Sequence, residues 1–264
     1  MHDLATSRQL PAAETSSRPS RRRTIALASG KGGVGKTWLS ITLADALARR
    51  GHRTLLFDGD LGLANVDVQL GLMPTRDLSE VVANRARLVD IVLECKTAGF
   101  EIIAGRSGSG SLATIPAHLL GVLLDELSEL MEDYERVIVD LGAGIDQTVR
   151  SLAGRADMIV VVTTDDPTAI TDAYAFIKLM VLRNPQVDIR ILVNQARSHE
   201  AGRRTYETVR LACENFLRVS PPLVGTVRSD RSVRHAIKAQ VPVLTRSPNC
   251  DAATDVMAIA TNLS

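Results

Sequence analysis

Gly30-Lys31-Gly32-Gly33-Val34-Gly35-Lys36-Thr37 reads as a phosphate-binding loop that carries a second, early lysine. The spacing fits G-x-x-x-x-G-K-[ST] from Gly30 through Gly35, Lys36 and Thr37. Glycines let the backbone curl tightly and aim its N–H groups inward at phosphate oxygens. Lys36 suits neutralisation of β- and γ-phosphates, and the Thr37 hydroxyl suits a Mg²⁺ ion. The flanks agree with this reading. Thr24–Ser29 has the composition of a buried strand entering the loop. Residues 38–50, with Leu39, Ile41, Leu43, Ala44, Ala46 and Leu47, have helical spacing, so the loop runs into a helix N-terminus that favours anions. Strand, loop and helix together argue against a glycine-rich surface turn. Lys31 is not required by the general motif, which makes it the sharper clue.

Working outward, the chain alternates strand and helix. Strands are expected at 53–58, 100–104, 136–140, 157–163, 189–194 and 223–227, with the β-branched 157–163 run in a central place. Helices are expected at 118–131, 168–183 and 203–217, and a last one starting at Ser247-Pro248, where serine suits the cap and proline the first helical position. This pattern predicts an α/β fold: one doubly wound, mostly parallel sheet with helices on both faces and ligands at the carboxyl ends of its strands. Residues 1–22, rich in Ser, Thr, Ala, Pro and Arg, are expected to be a disordered arm, and 23–264 a single domain. Aromatics are scarce, with one Trp, four Phe and three Tyr, so the core must be built from Val, Ile, Leu and Ala. The net charge of +1 provides no global footprint for nucleic acid or anionic membrane. Three scattered cysteines, Cys95, Cys213 and Cys250, argue against a zinc ribbon or disulfide framework and for a reducing compartment. No apolar run has the length of a membrane span, and the expected location is the cytoplasm.

Two strands run into aspartates where such a sheet places its chemistry, Asp58-Gly59-Asp60-Leu61-Gly62 and Asp140-Leu141-Gly142-Ala143-Gly144. One carboxylate there can hold Mg²⁺ through water, and a second can orient or deprotonate an attacking water. Glycines beside both acids suit loops that move with the γ-phosphate.

Lys31 ahead of Gly32 to Thr37 is similar to the deviant Walker A motif of the MinD/ParA ATPases, and 58–67 resembles switch I of the MinD branch. The segment 140–144 resembles switch II, with glycine where MinD carries proline. Thr163-Thr164-Asp165-Asp166-Pro167-Thr168-Ala169-Ile170-Thr171-Asp172-Ala173-Tyr174-Ala175 closely resembles the FlhG (FleN) branch, whose members regulate flagellar number. The resemblance runs from about Thr24 to the C-terminus. It implies an ATP- and Mg²⁺-dependent ATPase that forms a homodimer around ATP. Lys31 would reach the partner subunit's nucleotide, Gly30 to Thr37 and the Trp38 backbone N–H would bind phosphates, and Thr37, Asp58 and Asp140 would serve Mg²⁺. Asp60 would position the hydrolytic water and Asn194 would hydrogen-bond adenine, although a helix cap is its other reading. Arg228, where the family has proline, stands in the loop that completes the base pocket. Implied partners are an FlhF-like GTPase, C-ring or switch proteins, or a flagellar transcription regulator.

Departures from the family pattern are local. Trp38 replaces a small or polar residue and is read as packing against a neighbouring strand, or else as lining the nucleotide pocket. The last stretch, 251–264, lacks the Lys and Arg of the family's membrane-targeting helix, so membrane association is expected to be weak or partner-dependent. Asp3 and Ala5 match the N-terminal activator motif of some relatives at only two positions, too few to carry that role. A ParA-type partition ATPase on nucleoid DNA is the alternative, on the strength of basic residues between Arg190 and Arg246, but those read as a solvated face and DNA binding is not expected. An iron–sulfur relative lacks its cysteine set, and a tyrosine-kinase relative lacks its tyrosine cluster.

Overall fold

In this computed structural model the described residues are 24–105 and 115–263. The strands are β1 (Thr24–Ser29), β2 (Thr54–Gly59), β3 (Leu93–Cys95), β4 (Phe100–Ile103), β5 (Arg136–Ala143), β6 (Met158–Thr163), β7 (Ile189–Ala196) and β8 (Leu223–Arg228). The helices are α1 (Lys36–Arg49), α2 (Val66–Leu70), α3 (Leu78–Val82), α4 (Ala117–Met131), α5 (Gln147–Ala153), α6 (Pro167–Arg183), α7 (His199–Leu217), α8 (Arg231–Ala239), α9 (Val243–Arg246) and α10 (Asp251–Leu263).

The strands form one sheet in the order β3-β4-β2-β5-β1-β6-β7-β8, parallel throughout except for the antiparallel β3–β4 edge. Side chains alternate along each strand and feed two cores. Ile25, Leu27, Leu56, Ile138 and Val160 pack with α1, α2, α8, α9 and α10 on one face. Ala26, Ala28, Phe57, Val139 and Val161 pack with α4, α5, α6 and α7 on the other. The expected doubly wound sheet is therefore present. After β1 the chain crosses to β2 on one side, while β6, β7 and β8 extend the sheet on the other. The crevice at that reversal is the ligand position of this architecture, and the loop after β1 opens into it.

Several boundaries differ from the sequence reading. β5 continues past residue 140 because Leu141 pairs with Gly59 and Ala143 with Ser29. Asp140 is thus inside a strand instead of at its end. β6 is interior but lies one place off the central β5–β1 pair. α7 begins at His199, a turn earlier than expected, because the Ser198 hydroxyl accepts from Ala201 N–H at 3.1 Å. The last helix does not start at Ser247-Pro248. Those residues form a turn, closed by Cys250 N–H to Ser247 O at 3.2 Å, and α10 starts at Asp251. Its first N–H is satisfied from elsewhere, by the Asp230 carboxylate at 3.0 Å. Short elements with no readable periodicity (α2, α3, β3, α5, α8 and α9) were not anticipated.

Cys95 and Cys213 are buried, Cys250 partly so, and all three are free. Burial pushes the Cys213 thiol up to about 11. Among the described residues, no helix is long and apolar enough to cross a membrane. The expected arm, 1–22, with Asp3 and Ala5, lies outside the described residues.

Candidate functional site

The loop between β1 and α1 owes its shape to glycines that cannot be replaced freely. A Cβ on Gly30 would lie 2.2 Å from the backbone oxygen of Asp172 in α6. Gly35 is left-handed, with φ 83°, and a Cβ there would lie 2.5 Å from Asn194 Nδ2. Gly35 also opens α1, accepting from Leu39 N–H at 3.1 Å. Gly32 borders open space.

Lys36, at the first helical position, is only 7% exposed and turns under the loop. Its ammonium pairs with Asp140 at 3.1 Å and also donates to the Leu141 carbonyl. Ser40, one turn along α1, donates to the same Asp140 oxygen at 2.8 Å. The sequence reading missed Ser40, although its place four residues after Lys36 puts both on one helix face. Thr37, the other motif side chain, is half-buried.

Asp58 stands directly opposite Asp140 in the β2–β5 ladder, so both carboxylates lie on the α1 side of the sheet. Asp58 is fully buried and accepts from the N–H groups of Asp60 (3.2 Å), Asn65 (3.3 Å) and Val66 (3.3 Å). Burial, and then the negative charge of Asp140, push its carboxyl up to about 7, against the pull of the Val66 and Asp60 N–H groups. Two facing carboxylates of this kind, with a threonine hydroxyl on the adjoining helix, are a hard-oxygen set that a divalent cation would relieve of repulsion. Asp60 is half-exposed, and its carboxylate accepts from Leu63 N–H at 2.9 Å. A Cβ on Gly142 would sit 3.6 Å from Asp60 Cγ, so the segments following Asp58 and Asp140 touch.

Lys31 leans to the opposite side. Its ammonium lies 3.4 Å from Asp166 and donates to the Thr168 hydroxyl. Asp166 caps α6, accepting from Thr168 N–H at 2.8 Å and Ala169 N–H at 3.1 Å. Hydrogen bonds led by the Thr168 hydroxyl hold its carboxyl down to about 2.

Asn194 is buried inside β7, so it caps no helix, and its amide donates to Val34 O at 2.8 Å. Gln195, which the sequence reading passed over, donates to Gly33 O at 3.3 Å. The side chains of two other expected residues are engaged away from the loop. Arg228 grips Asp255 of α10 through Nε and Nη2, each at 2.9 Å, and Asp251 through Nη1 at 2.8 Å. Trp38 is 5% exposed and lines a cleft with Thr42, Gln69, Leu70, Ile237 and Val243. The cleft residues named here lie on helices, and Trp38 belongs to the core layer that also holds Ile25 and Leu27 of β1 and Leu56 of β2.

The chain matches the CobQ/CobB/MinD/ParA nucleotide binding domain over residues 25–243. It is 39% identical over 236 residues to antiactivator FleN of Pseudomonas aeruginosa, covering 89% of this chain and 84% of the relative. It is 33% identical over 227 residues to the flagellum site-determining protein YlxH of Helicobacter pylori, covering 85% and 76% respectively. The fold is that of the septum site-determining protein MinD from Pyrococcus horikoshii, solved with Mg-ADP. The TM-score is 0.76 at 24% identity, covering 92% of this chain and 96% of that one.

Proposed function

This chain belongs to the CobQ/CobB/MinD/ParA nucleotide-binding family, and on that premise we propose that it is an Mg²⁺-dependent ATPase that dimerises around ATP and regulates flagellar number, placement or assembly. One observation carries the chemistry: a glycine loop on a helix N-terminus stands directly over the Lys36–Asp140–Asp58 cluster. Gly30 to Thr37, with the Trp38 backbone N–H, receive the phosphates, and Thr37, Asp58 and Asp140 are the groups suited to the cation. Bound Mg-ATP supplies the γ-phosphoryl group and the charge that reorders the switch segments. Lys36 exchanges Asp140 for phosphate oxygens, Asp60 orients the attacking water, and Asn194 addresses the base. Arg228 ends β8 beside the base loop and has only its carbonyl to offer there, since its guanidinium and its backbone N–H are both held by α10. Lys31 serves the partner subunit's nucleotide. Its present contact with Asp166 is an exposed ion pair, a kind that is cheap to exchange.

The flagellar part of the reading is supported by the similarity to FleN and YlxH. It implies an FlhF-like GTPase, C-ring or switch proteins, or a flagellar transcription regulator as partner. The protein would work in the cytoplasm and reach a pole or membrane through that partner. The test is Lys36→Ala, which should abolish ATP hydrolysis and ATP-dependent dimer formation and reproduce the flagellation defect of a deletion strain. A variant that hydrolyses and dimerises normally would sink the reading.

A partition ATPase acting on nucleoid DNA has one feature in its favour. Arg231, Arg234, His235 and Lys238 are exposed along one face of α8. Against it, Arg204, Arg210 and Arg228 are paired with acids of their own chain. ATP-dependent DNA binding that falls steeply with salt would favour this second reading.

A further inference from the structure

We propose that Gln195 is a positioning residue of the phosphate loop, acting with Asn194 to fix two of its N–H groups before nucleotide arrives. The inference rests on the nucleotide-binding function proposed above and assigns a role to a residue outside the motif.

The geometry begins with a break in β7. Successive side chains of a strand point to opposite faces, so Asn194 and Gln195 should not serve one target. They do so because Gln195 is left-handed, with φ 56°, a conformation that strains a residue with a side chain. The β7–β8 ladder shifts register at the same place, between Val193 and Ala196. The irregularity turns both amides onto adjacent carbonyls of the loop, Asn194 Nδ2 to Val34 O at 2.8 Å and Gln195 Nε2 to Gly33 O at 3.3 Å.

A planar trans peptide converts this into phosphate chemistry. The Gly33 carbonyl shares its peptide plane with Val34 N–H, and the Val34 carbonyl shares its plane with Gly35 N–H, each pair pointing in opposite directions. Among the described residues no peptide is cis. A donor that holds each carbonyl toward β7 therefore holds the N–H groups of Val34 and Gly35 turned away from β7. Those are loop N–H groups of the kind that receive phosphate oxygens. Gly35 gives Asn194 its room, since a Cβ would press on that amide at 2.5 Å and on Gln195 Nε2 at 3.3 Å. The ordering cost of the loop is thus met at strand β7 before binding, as in any preorganised site.

The test is Gln195→Met, which keeps the side-chain length and removes the donor. ATP and inorganic tripolyphosphate should both bind about two- to tenfold more weakly than to wild type, as the loss of one neutral hydrogen bond implies. Adenosine affinity should stay unchanged. Gln195→Gly, which accepts the left-handed backbone without strain, should show the same polyphosphate-selective loss and covers a failure of the methionine variant to fold. Unchanged ATP and tripolyphosphate affinity in a folded variant overturns the inference, as does an equal loss for adenosine. Wild-type protein that binds no ATP would instead overturn the function proposed above, and this inference with it.

Discussion

Gly30 and Gly32 occupy the same motif, yet the structure asks different things of them. Gly30 lies against the backbone of α6, where no side-chain movement can make room. Gly30→Ala is expected to destabilise the fold by about 1–3 kcal/mol in urea unfolding, as overpacking does. Gly32→Ala faces open space and should stay within about 0.5 kcal/mol of wild type. Equal effects at both positions would contradict this assignment. The motif made both glycines legible in the sequence, but the reason for Gly30 is a contact with Asp172, far along the chain. The same holds for the underside of the loop. Lys36 was legible from the motif, and Asp58 and Asp140 as the acids of the glycine-rich segments 58–62 and 140–144. Ser40 shares a helix face with Lys36, but its bond to Asp140, like the Asn194 and Gln195 amides on the loop carbonyls, depends on which strands pack beside the loop and α1. Arg228 was expected in a loop but is the last residue of β8, and its alliance with Asp255 could not be read without knowing where α10 lies.

At the scale of elements, α6 ties the segment that resembles the FlhG branch to the phosphate loop. Its cap, Asp166, has a carboxyl held down to about 2, against about 3.9 for an unperturbed aspartate. A depressed folded value means the cap's contribution is complete above about pH 4 and disappears as pH falls through about 2. The stability difference between wild type and Asp166→Ala should therefore be present at neutral pH and shrink toward zero near pH 2. A difference constant across that range would contradict the electrostatic part of the cap. Trp38, the single tryptophan, is enclosed among the helices of its cleft. Its emission in the folded protein should be blue-shifted and poorly quenched by acrylamide, and become fully accessible on unfolding. Ready quenching of the folded protein would remove the indole from that cleft. Long periodic helices were legible to within a turn. The short α2, α5, α8 and α9 were not, since four to nine residues hold too little of a 3.6-residue period. The start of α10 was misread because its acceptor, Asp230, is distant in sequence.

For the molecule as a whole, strand–helix alternation and apolar β-branched runs foretold a doubly wound sheet, and the strand order places β1, β2 and β5 side by side. That order could not be read directly, because alternation alone does not say on which side of β1 each strand settles. Most arginines of α7 proved to be paired along their own helix, in keeping with the small net charge. ATP is expected to convert this chain into a dimer through Lys31 and Lys36. The direct measurement is solution mass by light scattering, with Mg-ATP and with Mg-ADP, for wild type, Lys31→Ala and Lys36→Ala. Wild type should be a dimer with ATP alone, and both variants should be monomers under either nucleotide. A wild-type mass indifferent to nucleotide, or a Lys31→Ala protein that dimerises as wild type does, would contradict this.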